Sequence, residues 1–165
     1  MKNGGEMKKR LLILGAGGHG RVVREAAEAM NCFTEIIFLD DYSDLGKGKL
    51  NDFVNYDNSV YSINVAIGNN EVRGDLIDKV RSCGFDLPVI VHPTAYVSKS
   101  SFIDSGTYIG PLSVLNANSK IGLGCIIGAN SVVDHDSIVC NYVHVNSGRV
   151  VKAGSEIVNY LKIDS

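Results

Sequence analysis

The chain's 165 residues lack paired cysteines: Cys32, Cys83, Cys125 and Cys140 stand apart, with no C-x-x-C. That spacing argues against a disulfide framework or a zinc motif and predicts reduced thiols in a cytoplasmic protein. An excess of charge is missing too. Sixteen Lys and Arg against eighteen Asp and Glu leave a net charge of −2, so neither nucleic acid nor a membrane is an expected partner. No apolar run approaches the ~18 residues of a membrane span. Basic residues precede Leu11–Leu14, but glycines follow at once and no small-residue cleavage site appears. A signal peptide is therefore not expected, and residues 1–7 are expected to form an unstructured extension.

What the chain does have is a beat of six. Val91, Val97, Ile103, Ile109, Leu115, Ile121, Ile127, Val133, Val139, Val145, Val151, Ile157 and Ile163 are all aliphatic, although Ile, Leu and Val make up only 46 of 165 residues. Thirteen consecutive hits do not arise by chance. Four residues after each of the first eight stands a small side chain: Ala95, Ser101, Thr107, Ser113, Ser119, Cys125, Ser131 and Ser137. A period of six fits neither a helix nor a simple strand. It is the signature of a parallel β-helix, with one short strand per hexad and the small residue at the corner. The small-residue beat fails at Val143, Arg149 and Leu161, which predicts a divergent C-terminal end.

Ahead of the solenoid, the pattern predicts a small βαβ-type module, with domains expected over 8–90 and 91–165. Leu11–Leu14, Glu35–Leu39, Ser62–Ile67 and Leu87–Val91 are expected strands, the first being continuously apolar as a buried parallel strand is. Arg21–Met30 is an expected helix with Val22, Val23, Ala26, Ala27 and Met30 on one face. Glu71–Cys83 is a second, with Val72, Leu76, Ile77 and Val80 as its buried stripe and Gly84 as its stop. Gly15, Gly17 and Gly20 satisfy G-x-G-x-x-G between strand and helix, and Asp40-Asp41 follow about 20 residues on, so a nucleotide is an expected ligand. Free amides at the helix start attract phosphate. Gly68-Asn69-Asn70 should reach the same sheet edge. About four strands are too few for the two mononucleotide halves that a dinucleotide needs, which speaks against NAD. The alternative is a tight turn with no ligand.

Asp134-His135-Asp136 is the most chemically suggestive triplet. Val133 takes the buried position, so His135 should sit outside the solenoid near a corner. An exposed imidazole beside a carboxylate has the parts of a general base, although a lone surface histidine is more often simply solvated. Asp134, His135, Asp136 and His144 also offer metal-ligand atoms. Neighbouring residues in a strand face opposite ways, however, so no metal is expected.

Taken in order, these motifs resemble those of the hexapeptide-repeat acyltransferases that modify bacterial sugars. The chain is most similar to the UDP-4-amino-sugar (bacillosamine-pathway) N-acetyltransferases, with sialic-acid O-acetyltransferases next. The resemblance rests on Leu12 to Gly20, Phe38 to Asp41, Ala66 to Arg73, His92 to Ala95, Ser131 to Asp136 and Val143 to Val145. It implies an α/β, Rossmann-like βαβ module followed by a left-handed parallel β-helix, assembled as a homotrimer with active sites between subunits. The nucleotide sugar, UDP-linked by preference, would meet Gly17, Gly18, His19, Asp40, Asp41, Gly68 and Asn69. His135 would be the catalytic base, Asp136 its orienting carboxylate, and His144 the contact to acetyl-CoA near the thioester, with no metal involved. Two features depart from the pattern. Gly128-Ala129 stand where related chains often carry Asn-Thr, and the sequence stops at Ser165, short of the coils that line CoA. The second supports an alternative expectation: a catalytically incomplete nucleotide-sugar-binding or scaffold protein.

Overall fold

The computed structural model describes residues 9–164, so the extension expected over 1–7 lies outside the described residues. The first half is a three-stranded parallel sheet of β1 (Arg10–Leu14), β2 (Ile36–Leu39) and β3 (Tyr61–Val65), ordered β2-β1-β3. Strand β1 is central and buried on both faces, as its unbroken apolar run requires. Leu11 and Ile13 face helix α1 (Gly18–Met30), where Val23, Ala26 and Ala27 are buried. Leu12 and Leu14 face the opposite core, with Phe53 from the 3₁₀ turn Leu50–Asn55 and with Ile77 and Val80 from α2 (Asn70–Ser82).

The expected fourth strand is not part of this sheet. Only Ile90–Val91 is extended (β4), and it pairs with β7 (Tyr108–Ile109) inside the solenoid. Asp86 still accepts the Ile63 amide at 2.9 Å, but Pro88 two residues on has no N–H to extend a ladder. Both helices start earlier than expected, inside the glycine-rich segments. Val22 and Val72 are 44% and 50% exposed. Their places toward the core are taken by Gly20 in α1 and by Asn70, Arg73 and Gly74 in α2, because backbone approach and hydrogen bonding, not apolar area, set those contacts.

The second half is a left-handed parallel β-helix. Its two-residue strands, one per hexad, are β4, β5 (Tyr96–Val97), β6 (Phe102–Ile103), β7, β8 (Val114–Leu115), β9 (Lys120–Ile121), β10 (Ile126–Ile127), β11 (Val132–Val133), β12 (Ile138–Val139), β13 (His144–Val145), β14 (Val150–Val151), β15 (Glu156–Ile157) and β16 (Lys162–Ile163). They stack into three sheets, β4-β7-β10-β13-β16, β5-β8-β11-β14 and β6-β9-β12-β15. Partners are eighteen residues apart, as in Tyr108 with Ile126 and Ile126 with His144, so three hexads make one coil. The hexad aliphatics fill the interior. Ser113, Ser119, Ser131 and Ser137 are fully buried at the corners. Each hydroxyl donates to the carbonyl three residues back, for example Ser113 to Gly110 at 2.6 Å, which satisfies a group that would otherwise be stranded. The divergence expected at the C-terminal end does not interrupt this ladder. Val143 is buried in the same core, and the register holds through Val145 against Ile163.

The sheet of β4, β7, β10 (Ile126–Ile127) and β13 (His144–Val145) packs its outer face against the N-terminal half. Ile90, Tyr108 and Ile126 share a core with α1. Helix α2 lies along one corner of the coils, where residues 106, 124, 142 and 160 all have positive φ. Gly124 (φ +62°) sits so close that a Cβ there would lie 2.4 Å from the Ile77 side chain. Gly124→Ala is expected to cost about 2 kcal/mol or more, since a left-handed residue bearing a Cβ costs roughly 1–2 kcal/mol before the clash. Urea unfolding followed by circular dichroism measures it.

Candidate functional site

The carboxyl ends of β1, β2 and β3 and the start of α1 form one edge of the sheet. Its glycines divide into two kinds. At Gly15 (φ +108°) a Cβ would lie 2.9 Å from the Ala66 carbonyl oxygen, and at Gly20 it would meet the Gly15 carbonyl at 2.0 Å. These two are glycine because the turn is tight. Gly17, Gly18 and Gly68 would place a Cβ in open space, so their bare backbone faces outward. Gly17 caps α1 without any side-chain hydrogen bond, which leaves the amides of the first turn available to an anion.

Asp40 is committed to shaping this edge. Its carboxylate accepts the Ala16 amide at 2.7 Å and the Tyr42 and Ser43 amides at 2.8 Å. These bonds, the one from Ala16 above all, hold its pKa below the usual carboxylate range. Asp41 accepts the Leu50 amide at 3.0 Å. Together they wall an open cleft of about 430 Å³ lined also by Tyr42, Lys47, Lys49 and Asp52. Asn69 caps α2 by accepting the Val72 amide at 3.0 Å.

His19 and His144 meet where the edge abuts the solenoid. The His19 ring stands edge-on to Tyr108, with centroids 5.2 Å apart. Burial, then the nearby His144 and Arg73, push His19 down to about 4. Burial, then Arg73, do the same to His144, also to about 4, so both imidazoles are neutral at pH 7. Behind them Arg73, 1% exposed, donates to the carbonyls of Gly124 (2.8 Å), Tyr142 (2.8 Å) and Ile67 (2.9 Å), to Gly68 at 3.4 Å and to Asn70 Oδ1 at 2.7 Å. Neither Arg73, which ends the Ala66-to-Arg73 motif, nor Tyr108 is among the site residues expected from the sequence. Their partners are 51 and 69 residues away for Arg73, and 89 residues separate Tyr108 from His19. No local spacing announces such contacts.

His135 lies elsewhere. It occupies the turn between β11 (Val132–Val133) and β12 (Ile138–Val139), which joins the second sheet to the third. That corner is opposite the face covered by the N-terminal half. The ring is exposed, and its Nδ1 lies 2.8 Å from Asp136 Oδ2. Asp134 Oδ1 accepts the His135 amide at 2.8 Å. The hydrogen bond to Asp136, then the charge of Asp134, raise the His135 pKa above its ordinary value. Within one chain, then, Gly17, Gly18, His19, Gly68 and His144 converge, with Asp40, Asp41 and Asn69 ordering their surroundings, while His135 and Asp136 stand apart. Among the described residues no group of three His, Cys, Asp or Glu side chains could hold a metal ion. No described helix is long and apolar enough to cross a membrane.

Two family models match the chain: the PglD N-terminal domain over residues 10–80 and the bacterial transferase hexapeptide (six repeats) over residues 100–135. UDP-N-acetylbacillosamine N-acetyltransferase of Bacillus subtilis is 32% identical over 110 residues, 61% of this chain. The match spans about half, 51%, of that relative's length. Among solved structures, the acetyltransferase domain of PglB from Neisseria gonorrhoeae, in complex with acetyl coenzyme A, superposes with a TM-score of 0.84 at 30% identity. That match covers 94% of this chain and 85% of the other. PerB from Caulobacter crescentus, in complex with CoA and GDP-perosamine, gives a TM-score of 0.64 at 25% identity, covering 94% and 91%.

Proposed function

This chain belongs to the hexapeptide-repeat sugar acetyltransferases that carry a PglD N-terminal domain, and we propose that it transfers the acetyl group of acetyl-CoA to the amine of a UDP-linked amino sugar. The observation that carries the reading is the His135–Asp136 pair, an exposed imidazole whose Nδ1 is engaged at 2.8 Å. With Nδ1–H donated to the carboxylate, Nε2 is left as a free base facing solvent. His135 takes a proton from the sugar amine as its nitrogen attacks the thioester carbonyl. The tetrahedral intermediate collapses, the C–S bond breaks, and the proton on His135 passes to the departing CoA thiolate. Holding both substrates together makes the step effectively unimolecular. The bare backbone at Gly17, Gly18 and Gly68 receives the nucleotide sugar, with His19, Asp40, Asp41 and Asn69 around it. His144, neutral and half-buried, lies against the acetyl end of CoA. No step calls for a metal.

The separation of His135 from that edge supports a homotrimer with shared sites. The outward residues of the second sheet are Tyr96, Val114, Val132 and Val150, an apolar ladder. Tyr96 and Val150 are 60% and 59% exposed, an area that a second copy would cover. His135 stands at the rim of this face, where docking brings it to a neighbour's His19 and His144.

Purified protein with acetyl-CoA and a UDP-4-amino sugar is expected to release CoA, read with a thiol reagent. A folded protein that releases none with any amino-sugar nucleotide overturns the assignment. Separate titrations then distinguish a nucleotide-sugar-binding scaffold, which takes up the UDP-sugar but not acetyl-CoA. Coexpressing His135→Ala chains with His144→Ala chains is expected to restore activity that neither shows alone. A site contained in one chain gives no such recovery.

A further inference from the structure

One coil before the His135 turn, the chain runs Asn116-Ala117-Asn118, and eighteen residues on it runs Asp134-His135-Asp136. The stacking sets amide against carboxylate twice. Asn116 Nδ2 donates to Asp134 Oδ1 at 2.8 Å, and Asn118 Nδ2 donates to Asp136 Oδ1 at 3.0 Å. Asp136 thus has one oxygen held by Asn118 and the other by His135 Nδ1 at 2.8 Å. Asn118 is held in its turn, its backbone N–H donating to Ser100 Oγ at 3.1 Å. The result is a line of hydrogen bonds from the first coil, through Asn118 and Asp136, to the imidazole.

We propose that Asn118, supported by Asn116, is a positioning residue that fixes the Asp136 carboxylate against His135 Nδ1 and so selects the tautomer with a free Nε2. A carboxamide suits the task because its NH₂ only donates. It keeps Asp136 an acceptor on both oxygens, so the Nδ1 proton has one place to go. The acidic neighbours of His135 respond as this arrangement requires. Hydrogen bonds from His135 and then Asn118 lower the Asp136 pKa, and the one from Asn116 is the main reason that Asp134 is lowered. The groups around His135 are Asp134 and Asp136 on its own turn and the neutral Asn116 and Asn118, bonded to them from the coil before; on the coil after, Lys152 stands eighteen residues on from Asp134 and Gly154 eighteen on from Asp136. The Gly154 amide donates to the His135 carbonyl at 3.1 Å.

Backbone conformation offers a simpler reason for an asparagine here. Asn118 and Asp136 have φ of +59° and +57°, and Gly154 below them has +68°. Asn, Asp and Gly are the residues that tolerate this region. The test separates the two reasons by keeping the left-handed residue in every variant. Asn118→Gly retains the conformation without the carboxamide, and Asn118→Asp retains it while adding a charge beside Asp136.

The inference rests on the reading of His135 as the base, but its first readout does not need activity. The protein carrying ¹³C-histidine is titrated by NMR, and the His135 ring signals give its pKa. Asn118→Gly is expected to lower that pKa toward an unpartnered imidazole, and Asn118→Asp to raise it above wild type. Acetyl transfer by Asn118→Gly is expected to fall about tenfold in kcat, with KM for the sugar nucleotide unchanged and the acidic limb of the pH profile moving with the NMR value. A His135 titration identical in wild type and both variants overturns the proposal even if the enzyme is active. Titration shifts without any acetyl transfer leave the positioning intact and remove the acetyltransferase reading instead.

Discussion

Replacing His135 with alanine is expected to lower kcat for acetyl transfer by about 10²–10⁴-fold, the range that a positioned general base contributes. The fold and the affinity for the sugar nucleotide should stay as they are. The side chain is exposed and bonded to Asp136 of its own turn, so its removal opens nothing in the buried interior of the solenoid. Catalysis that remains comes from holding the two substrates together. The pH dependence follows from the direction of the His135 shift. The base works only when neutral, so kcat/KM rises with pH through the His135 pKa. The bond to Asp136, then the charge of Asp134, raise that value, so the acidic limb lies above that of an unpartnered imidazole. Asp136→Asn removes the largest cause. It is expected to move the limb down while lowering kcat, because the tautomer is no longer enforced. Stopped assays across pH with CoA release as the readout measure both effects. Retention of more than about a tenth of wild-type kcat by His135→Ala removes the residue from the role, given the size of the contribution expected.

The solenoid was legible in the sequence because its determinants are local and repeated. Each hexad carries its own buried aliphatic residue, and six of the eight small corner residues carry a hydroxyl, so Val97 or Ile121 needs no distant information to be placed. The glycine-rich turn was legible for a related reason, since the tight backbone at Gly15 and Gly20 admits no side chain. Val22 and Val72 misled because helical periodicity says which residues share a face, not what that face meets. The first turns of α1 and α2 meet backbone, so Gly20, Asn70 and Arg73 are buried there and Val22 and Val72 are not. Arg73 lies within a recognised motif, yet nothing nearby in sequence indicates that its guanidinium bridges two coils of the solenoid. The position of His135 near a corner could be read from its place in the hexad. That the corner is opposite the face covered by the N-terminal half could not, since it depends on which of the three sheets that half selects.

Replacing Arg73 with methionine is expected to destabilise the chain by about 3–5 kcal/mol, the scale on which a buried, fully bonded charge group is lost together with its partners' satisfaction. Methionine fills much of the volume but donates nothing. The carbonyls of Gly124 and Tyr142 on the solenoid, and of Ile67 at the end of β3, then lose their donor, and an unsatisfied buried polar group costs about 1–3 kcal/mol each. The guanidinium has no carboxylate partner in this set. Its charge is compensated by oxygen dipoles alone, and burial brings its pKa down to about 10, so it stays charged at neutral pH. Because these contacts join the Gly68 loop to two successive coils, Arg73 couples the nucleotide-sugar edge to the β-helix. Arg73→Met is therefore expected to raise KM for the sugar nucleotide in addition to lowering stability. Arg73→Lys restores the charge but not the planar fork, and one ammonium cannot reach carbonyls on both sides of the helix terminus as the fork does. It should recover part of the stability and little of the KM. Urea unfolding sets the first quantity and steady-state kinetics the second. A loss below about 1 kcal/mol for Arg73→Met would mean that the two halves hold together without it, through the apolar contacts, the Tyr142 hydroxyl donating to Asp78 at 2.9 Å and Asn70 Nδ2 donating to the Tyr160 carbonyl at 2.8 Å, since a single net hydrogen bond is already worth about that much.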